Sequence, residues 1–303
     1  MLQDRYEEFL KNRRVYCVEK TLKYYADNVQ RFINFCNENC VIDECCINQA
    51  LIEDYIMHLK SSGISMTSIH TYVRAVRSFV NWMYEFDIIP VNPFKRVRLP
   101  RADPAPVLPL SVEEVKRIDN YILTQMNMHR RNYVIIHLML DAGLRSGEIV
   151  RLKIRDVMAD TGILQIFKSK GNKSRYVPIP QLLMDELQRY INTQHRKNRK
   201  DNVFYLESGE PINSEAIKRL CTKIKNQTGI DRFHAHLCRH TFATSFFMGG
   251  GQMEGLRVLT GHADYEVLKG YLHVAKSMEL MNYNIYRLDD IYFRQFNYHN
   301  GGK

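Results

Sequence analysis

Long hydrophobic runs are absent from this 303-residue sequence. The longest apolar stretch, Tyr133 to Leu140, has eight residues and includes His137, whereas a membrane-spanning helix needs about 20 apolar residues. The charged N-terminal segment, MLQDRYEEFLKNRR, lacks the apolar region of a secretory signal. Together the two absences predict a cytoplasmic protein that has no membrane partner.

Cysteine is neither abundant nor even in number, since the chain has seven. In a protein without an export signal, this composition favours reduced thiols over disulfides. Four cysteines lie close together with the spacing C-x3-C-x4-C-C: Cys36, Cys40, Cys45 and Cys46. A structural zinc site is the alternative for them, but the paired C-x2-C motif and a nearby histidine are missing. With no Walker-type loop for a nucleotide either, we expect neither a metal nor a cofactor.

Proline is scarce outside one segment. Six of the nine prolines lie between Pro90 and Pro109, a density that breaks helices and favours an extended linker. A chain of this length has a prior of about two domains. We therefore predict a first domain over residues 1–106, with the linker at its end, and a second domain over residues 107–303.

Positive charge exceeds negative charge, with 43 Lys and Arg against 33 Asp and Glu. The excess is uneven, because residues 1–106 carry 14 basic and 13 acidic side chains whereas residues 107–303 carry 29 and 20. A basic excess of this size favours a polyanionic partner. Most of the surplus charge available to such a partner belongs to the second domain.

Apolar residues repeat at helical spacing through most of the first domain. The repeats predict a short helix at the N-terminus, a longer one over residues 22–36, and two more that begin after caps at Asn48 and Ser65. The first domain is therefore predicted to be a small helical bundle.

The second domain mixes helical and strand patterns. Ser111 and Glu114 form a capping-box pattern before an apolar helix, and a further apolar helix ends at Gly143. Two β-rich runs, Ile163 to Phe167 and Tyr176 to Ile179, flank KSKGNKSR and predict a basic hairpin. Helical patterns return over residues 181–195, 214–225, 237–248 and 254–259. The predicted fold class is mainly α with a small β-sheet, a helical bundle followed by a mixed α+β domain.

Four segments of the second domain place basic residues beside glycines, turns or helix ends. They are GLRSGEI at 143–149, KSKGNKSRYVPI at 168–179, HAHLCRHTFAT at 234–244 and LTGHADYEVLKGYLHV at 259–274. Each has an ordinary interpretation by itself, such as a solvated hairpin lysine or an i, i+3 pair on a helix. Their order and spacing together are what distinguish this sequence.

In this order the segments resemble the tyrosine recombinase (phage integrase) family, and the two-domain layout is similar to its compact Xer-type and Cre-like members. The family pattern is Arg in G-L-R-x-x-E, Lys on a β-hairpin, H-x-x-R, and G-H followed by Tyr nine residues later. The resemblance implies a SAM-like core-binding bundle followed by a catalytic domain. The pattern falls on Arg145, Lys170, His236, Arg239, His262 and Tyr271.

The resemblance implies a part for each residue in DNA cleavage. Tyr271 attacks a phosphodiester and forms a 3′-phosphotyrosyl link, Lys170 protonates the departing 5′ hydroxyl, and His262 hydrogen-bonds a phosphate oxygen. The chemistry agrees, because arginine forks suit an anionic phosphorus centre. A phenol with a pKa of about 10 also needs a base, for which His236 is the candidate. Two further residues are expected to support the site: Glu148 and His240.

The resemblance also implies the partners. These are double-stranded DNA recombination sites bound by a homotetramer across two duplexes, with accessory proteins left open. We expect DNA contacts from Arg74 and Arg77 in the first domain and from Lys173 and Arg175 on the hairpin. A C-terminal tail over residues 272–303 is expected to serve assembly. The expected location is then the cytoplasm of a prokaryote, in association with the nucleoid.

Three activities are open at this point. The first is site-specific recombination through a Holliday junction, in integration or excision of a mobile element or in replicon resolution. The second is DNA relaxation of the type IB topoisomerase kind, which shares the chemistry. The third is sequence-specific DNA binding without catalysis. The complete set of six family residues favours an enzyme, and we expect the recombinase.

Overall fold

The computed structural model describes residues 1–100, 107–125, 129–167, 174–194, 198–261 and 265–280. The chain divides into two compact units, Met1–Ala105 and Pro106–Lys303, and each has its own buried core. Within the described ranges both units are mainly helical, and the second also contains a three-stranded sheet. The predicted fold class is confirmed.

Four α-helices form unit 1 within its described residues: α1 Leu2–Tyr16, α2 Glu19–Glu38, α3 Gln49–Ser61 and α4 Met66–Glu85. Their apolar sides meet in an aromatic core. There the Phe9 ring contacts Phe79 and Trp82 edge to face, at centroid distances of 5.3 and 5.6 Å. Edge-to-face pairs of this kind add about 0.5–1.5 kcal/mol beyond the area they bury.

Two helices of unit 1 begin at the predicted caps. The Asn48 side chain accepts a hydrogen bond from the Leu51 backbone N–H, and the Ser65 hydroxyl accepts one from Ser68. Each bond satisfies a backbone donor that the first turn of a helix leaves without a partner, which stabilises the helix by about 1 kcal/mol.

All seven cysteines are free thiols. Cys36 is buried in the core of unit 1, where burial raises the pKa of its thiol to about 12. A thiol in such surroundings stays protonated and behaves as a small apolar side chain. Among the residues that the structure describes, no group of three or more His, Cys, Asp or Glu side chains is placed to hold a metal ion.

Unit 2 contains eight α-helices and a small antiparallel sheet in its described residues. The helices are α5 Val112–Leu123, α6 His129–Leu140, α7 Ser146–Arg151, α8 Gln181–Thr193, α9 Ser214–Thr228, α10 Ala235–Met248, α11 Met253–Thr260 and α12 Tyr265–Leu280. The sheet has the order β1-β2-β3, with β1 Val157–Met158, β2 Ile163–Phe167 and β3 Ser174–Pro178. Within the same ranges, none of the helices combines the length and hydropathy required to span a bilayer.

The predicted hairpin is present as β2 and β3, while its tip, residues 168–173, lies outside the described residues. Strand β3 begins at Ser174, two residues earlier than the sequence pattern suggests. Its register pairs Leu164 with Val177 and Ile166 with Arg175, so Arg175 shares the buried face of the sheet. The polar Ser174-Arg175 pair hid this start, because strand patterns are read from apolar residues.

Helices α9 and α10 of unit 2 each extend two or three residues beyond one of their predicted bounds. Helix α9 continues to Thr228 because the next residue, Gly229, is the one that adopts the left-handed conformation and ends it. Helix α10 begins at Ala235, directly after the extended His234, two residues before the first apolar position of the pattern. Apolar periodicity locates the middle of a helix better than its ends.

An ionised cluster around His137 lies inside unit 2. His137 has no exposed surface; its Nδ1 lies 2.8 Å from Asp141 Oδ2 and its Nε2 lies 2.9 Å from Asp119 Oδ1. Both ring nitrogens face carboxylates, an arrangement that an imidazolium satisfies fully. Burial lowers the pKa of His137, but the two carboxylates outweigh it and raise the pKa to about 10. A cation thus ties α5 to the last turn of α6.

We expect His137→Leu to lower the free energy of unfolding by about 3–5 kcal/mol at neutral pH, because two buried carboxylates lose their cation. The pKa of His137 is higher in the folded than in the unfolded state. Its contribution is therefore complete below about pH 6.5 and is lost as the pH rises towards about 10. Urea titrations followed by circular dichroism at several pH values measure both effects.

The matched control is Ile136→Ala, which removes a fully buried apolar side chain beside His137. It should lower the stability without changing its pH dependence. Fluorescence of Trp82, the single tryptophan, reports unit 1 separately. A wild-type stability that stays constant between about pH 7 and pH 10 would contradict a cationic His137.

Candidate active site

Arg145 lies where a tight turn meets a helix. Gly143 adopts φ +62°, and a Cβ there would collide with the Phe242 ring, so the turn requires glycine. Arg145 is the N-cap residue of α7. The Glu148 carboxylate accepts hydrogen bonds from the Arg145 backbone N–H at 2.9 Å and from Arg145 Nη1 at 3.1 Å. The Arg145 side chain is 42% exposed, so it is anchored from behind and still accessible to a ligand.

Arg239 reaches the same place from α10 and is 1% exposed. Its Nη1 donates to the Gly143 carbonyl, and its Nη2 donates to the Thr260 carbonyl at 2.6 Å. Arg145 Nη1 donates to that same Thr260 carbonyl at 3.1 Å. Three segments that are distant in sequence, the Gly143 turn, α10 and the end of α11, therefore meet around two guanidinium groups.

The two arginines concentrate positive charge in a partly buried place. Burial, followed by repulsion from Arg145, lowers the pKa of Arg239 to about 10. The group nevertheless stays cationic at neutral pH. A pair of arginine forks at the edge of a buried site is suited to an oxyanion such as a phosphate.

His236 lies one turn before Arg239 on α10 and is exposed. Desolvation by neighbouring groups lowers the pKa of its imidazole, and Arg239, His234 and Arg145 lower it further. The ring is therefore neutral at neutral pH. A neutral imidazole beside a reacting group can accept a proton, which is what a general base requires.

Tyr271 lies on α12 and is 4% exposed. Burial raises the pKa of its phenol, while Arg239 and Arg145 act in the opposite direction, so the phenol is within electrostatic reach of both arginines. The His240 ring contacts the Tyr271 ring edge to face at a centroid distance of 4.8 Å. Burial is the main cause that lowers the pKa of His240 to about 4. A neutral His240 thus packs against the phenol.

Arg175 occupies a place that the sequence analysis did not foresee. We expected a DNA contact, but the side chain is 7% exposed. Its Nη1 and Nη2 donate to the two oxygens of Glu148 at 2.8 and 2.9 Å, and its Nε donates to the Leu259 carbonyl at 2.7 Å. The signal was available in the sequence, because strand alternation puts position 175 on the same face as the apolar Val177.

The remaining predicted site residues fall into two groups. Lys170, Lys173 and His262 lie outside the described residues. Arg74 and Arg77 lie on α4 of unit 1, where Arg74 is exposed and the Arg77 guanidinium covers the Phe94 ring at 5.1 Å. The described part of unit 2 thus brings together four of the six family residues: Arg145, His236, Arg239 and Tyr271.

Two family models match the chain. The phage integrase family matches residues 109–278, more than half of the sequence, and the phage integrase N-terminal SAM-like domain matches residues 2–89. The first model covers the unit that contains the arginine pair, and the second covers the helical bundle.

Curated relatives and solved structures agree with the family models. The chain is 28% identical over 290 residues to the tyrosine recombinase XerC of Listeria innocua, covering 91% of this chain and 93% of that protein. It is 26% identical over 263 residues to XerD of Halalkalibacterium halodurans, covering 85% and 88%.

Among solved structures, the XerH site-specific recombinase bound to difH substrate matches with a TM-score of 0.73 at 20% identity, over 91% of this chain and 82% of that one. The Tn1549 transposon integrase in complex with circular intermediate DNA matches with a TM-score of 0.72 at 17% identity, over 91% and 98%. The curated relatives are named as tyrosine recombinases, so topoisomerase activity and catalytically silent DNA binding are not favoured. The chain belongs to the phage integrase family and is a tyrosine recombinase, a DNA strand-transfer enzyme with an N-terminal SAM-like domain.

Proposed function

We propose that this site cuts and rejoins DNA with Tyr271 as the nucleophile and Arg145 and Arg239 as the phosphate ligands. One observation carries the proposal. The two guanidinium groups meet at the Thr260 carbonyl, within electrostatic reach of the Tyr271 phenol. If a phosphodiester lies between the arginines and the phenol, the arginines neutralise its negative charge and the Tyr271 oxygen can attack its phosphorus atom.

The cleavage step exchanges one phosphorus–oxygen bond for another. The Tyr271 oxygen bonds to phosphorus while the bond from phosphorus to the 5′ oxygen breaks. His236 takes the phenolic proton, and Lys170 gives a proton to the departing oxygen. Because the 3′-phosphotyrosyl link preserves a phosphodiester, a 5′ hydroxyl of a second strand can reverse the step without ATP. Lys170, and His262 as a donor to a phosphate oxygen, keep the parts that the family resemblance implies.

The arginines stabilise the charge that develops on the non-bridging oxygens. Their donors are held in place before the substrate arrives, because Arg239 is buried on two carbonyls and Arg145 is anchored by Glu148. Donors arranged in advance in a poorly solvated site need little reorganisation during the reaction. Glu148 and His240 support the chemistry indirectly, the first by holding Arg145 and the second by packing against Tyr271.

The proposed substrate is double-stranded DNA that carries recombination sites, located in the nucleoid of a prokaryotic cytoplasm. The XerH structure is bound to a difH substrate, and the Tn1549 integrase structure is in complex with circular intermediate DNA. We place the SAM-like bundle, with Arg74 and Arg77, and the basic hairpin residue Lys173 against the DNA backbone. Contacts of this type give an affinity that falls steeply as the salt concentration rises.

Exchange between two duplexes through a Holliday junction requires the cutting of four strands, and each active site supplies one tyrosine. We therefore propose a homotetramer on two recombination sites. The tail over residues 272–303 is proposed to serve this assembly, with residues 281–303 outside the described part of the chain. Accessory proteins would act on that complex.

Replacing Tyr271 with phenylalanine should abolish the covalent protein–DNA adduct, since the attacking oxygen is removed. The measurement is denaturing gel electrophoresis after incubation with a suicide substrate, whose nick next to the cleavage site prevents rejoining. The reaction contains EDTA and no nucleotide, because the proposed chemistry uses neither metal nor ATP.

The matched control is Tyr265→Phe. Tyr265 is exposed on the first turn of the same helix, where its hydroxyl donates to Glu254. This variant should form the adduct at the wild-type rate. Retention of the adduct by Tyr271→Phe would falsify the assignment of the nucleophile.

Loss of either phosphate ligand, in Arg145→Ala or Arg239→Ala, should slow cleavage on the order of 100- to 1000-fold, as the loss of a fixed oxyanion donor does. Single-turnover cleavage of the suicide substrate measures the rate. Arg257→Ala is the control, since Arg257 is paired with Glu254 on the surface of α11. Equal rates for Arg239→Ala and Arg257→Ala would show that Arg239 does not bind the reacting phosphate.

The mass of the complex on paired recombination sites should correspond to four protomers and two duplexes. Mass photometry measures it directly. Removal of residues 281–303 should leave binding to one site intact and weaken the four-protomer complex, because the tail is proposed to join subunits. Recombination by a complex of two protomers would contradict this assembly.

A further inference from the structure

Arg175 connects three elements of unit 2: β3, on which it lies, and α7 and α11, which its side chain contacts. It lies on β3, its two terminal nitrogens hold both oxygens of Glu148, and its Nε holds the Leu259 carbonyl on α11. Leu259 precedes Thr260, whose carbonyl accepts hydrogen bonds from both Arg145 and Arg239. A single buried guanidinium thus holds β3, α7 and α11 in one arrangement.

Glu148 is hydrogen-bonded by two arginines. Arg175 binds it with two side-chain nitrogens, whereas Arg145 uses one side-chain nitrogen and its backbone N–H. Oε1 lies 2.8 Å from Arg175 Nη1 and 3.1 Å from Arg145 Nη1, and Oε2 accepts from Arg175 Nη2 and from the Arg145 backbone N–H. Burial alone would raise the pKa of Glu148, but Arg175 first and Arg145 next outweigh it and lower the pKa. The carboxylate is therefore ionised, and the Arg175 guanidinium binds it in a bidentate manner.

We propose that Arg175 is a positioning residue for strand cleavage, which holds Glu148 and the end of α11 so that the Arg145 guanidinium stays available to the phosphate. The inference rests on the proposed function of Arg145 and Arg239. Without Arg175, Arg145 is the remaining cation among the described residues that hydrogen-bonds the buried Glu148 carboxylate, which then draws that guanidinium away from the substrate. The Leu259–Thr260 carbonyls, which set where the two arginines meet, lose their attachment to β3.

A positioning role and a DNA contact predict opposite results for the same variants. If Arg175 bound a DNA phosphate at the surface, its removal would weaken DNA binding and reduce the salt dependence of the affinity by about one counterion. If Arg175 positions the site, its removal leaves the affinity and its salt dependence unchanged and slows the chemical step. Displacement of a reacting group by about 1 Å is enough to slow a reaction on the order of 100-fold.

The experiment compares Arg175→Lys and Arg175→Ala with the wild type on a suicide substrate that carries the recombination site. Single-turnover cleavage at saturating protein should fall by about 10- to 100-fold in both variants. The dissociation constant for the DNA, measured at several salt concentrations, should stay within about twofold. Arg175→Lys keeps the charge but lacks the bidentate fork, so it should not recover the rate.

Chemical rescue separates positioning from a general loss of structure. Truncation to alanine should leave space for a guanidinium ion beside the Glu148 carboxylate that Arg175 binds. Millimolar guanidinium should therefore restore much of the cleavage rate of Arg175→Ala and leave Arg175→Lys unaffected, whereas sodium and ethylammonium ions at the same concentration should restore neither.

The matched control is Val177→Ala, which lies on the same strand and face and is 1% exposed. It should lower the melting temperature without slowing cleavage at temperatures where the protein is folded. If Arg175→Ala cleaves at the wild-type rate, or loses DNA affinity with an unchanged cleavage rate, the proposal is overturned.

Equal slowing in Val177→Ala, or no rescue of Arg175→Ala by guanidinium, would also overturn it by reducing Arg175 to a general core contact. Failure of the proposed function is distinguishable from all of these, because the wild-type protein would then form no adduct at Tyr271.

Discussion

Two like-charged guanidinium groups donate to one backbone carbonyl, that of Thr260. The structure of unit 2 around them depends on offsetting their mutual repulsion. Two unit charges about 4 Å apart interact by about 4 kcal/mol near a protein surface. The repulsion between Arg145 and Arg239 is offset by the Glu148 carboxylate and by the carbonyls of Gly143 and Thr260. What remains is a surplus of positive charge on the exposed side of Arg145, which suits the phosphate of the proposed substrate.

The partners that hold the arginines are largely backbone atoms. Arg239 bonds to the carbonyls at the Gly143 turn and at the end of α11, so its position depends on how these two chain turns are shaped. Both turns contain a glycine with positive φ, at Gly143 and Gly261, a conformation that other residues adopt only with strain. The glycines of the G-L-R and G-H motifs thus shape the carbonyls, while the arginines supply the charge.

Patterns that depend on neighbouring residues were read correctly from the sequence. The caps at Asn48, Ser65 and Ser111 need only a short side chain and the next turn of helix, and strand β2 follows from one β-rich run. Arg175 shows where such reading fails. Arginine is mostly an exposed residue, so the position of Arg175 on a hairpin favoured a DNA contact. The alternation of the strand, however, put Arg175 on the same buried face as Val177. Burial of an arginine needs a partner, and Glu148 lies 27 residues away.

The sequence by itself determined the family, the two helical units and the identities of the motif residues, because motifs and amphipathic periods are local properties of a chain. Only the tertiary structure decided that Arg145 and Arg239 share the Thr260 carbonyl, and that Arg175 faces Glu148 rather than solvent. These contacts join residues between 21 and 115 positions apart. Pairing across such distances depends on how helices and strands pack, and the direction of a buried charged side chain follows from the partner that the packing supplies.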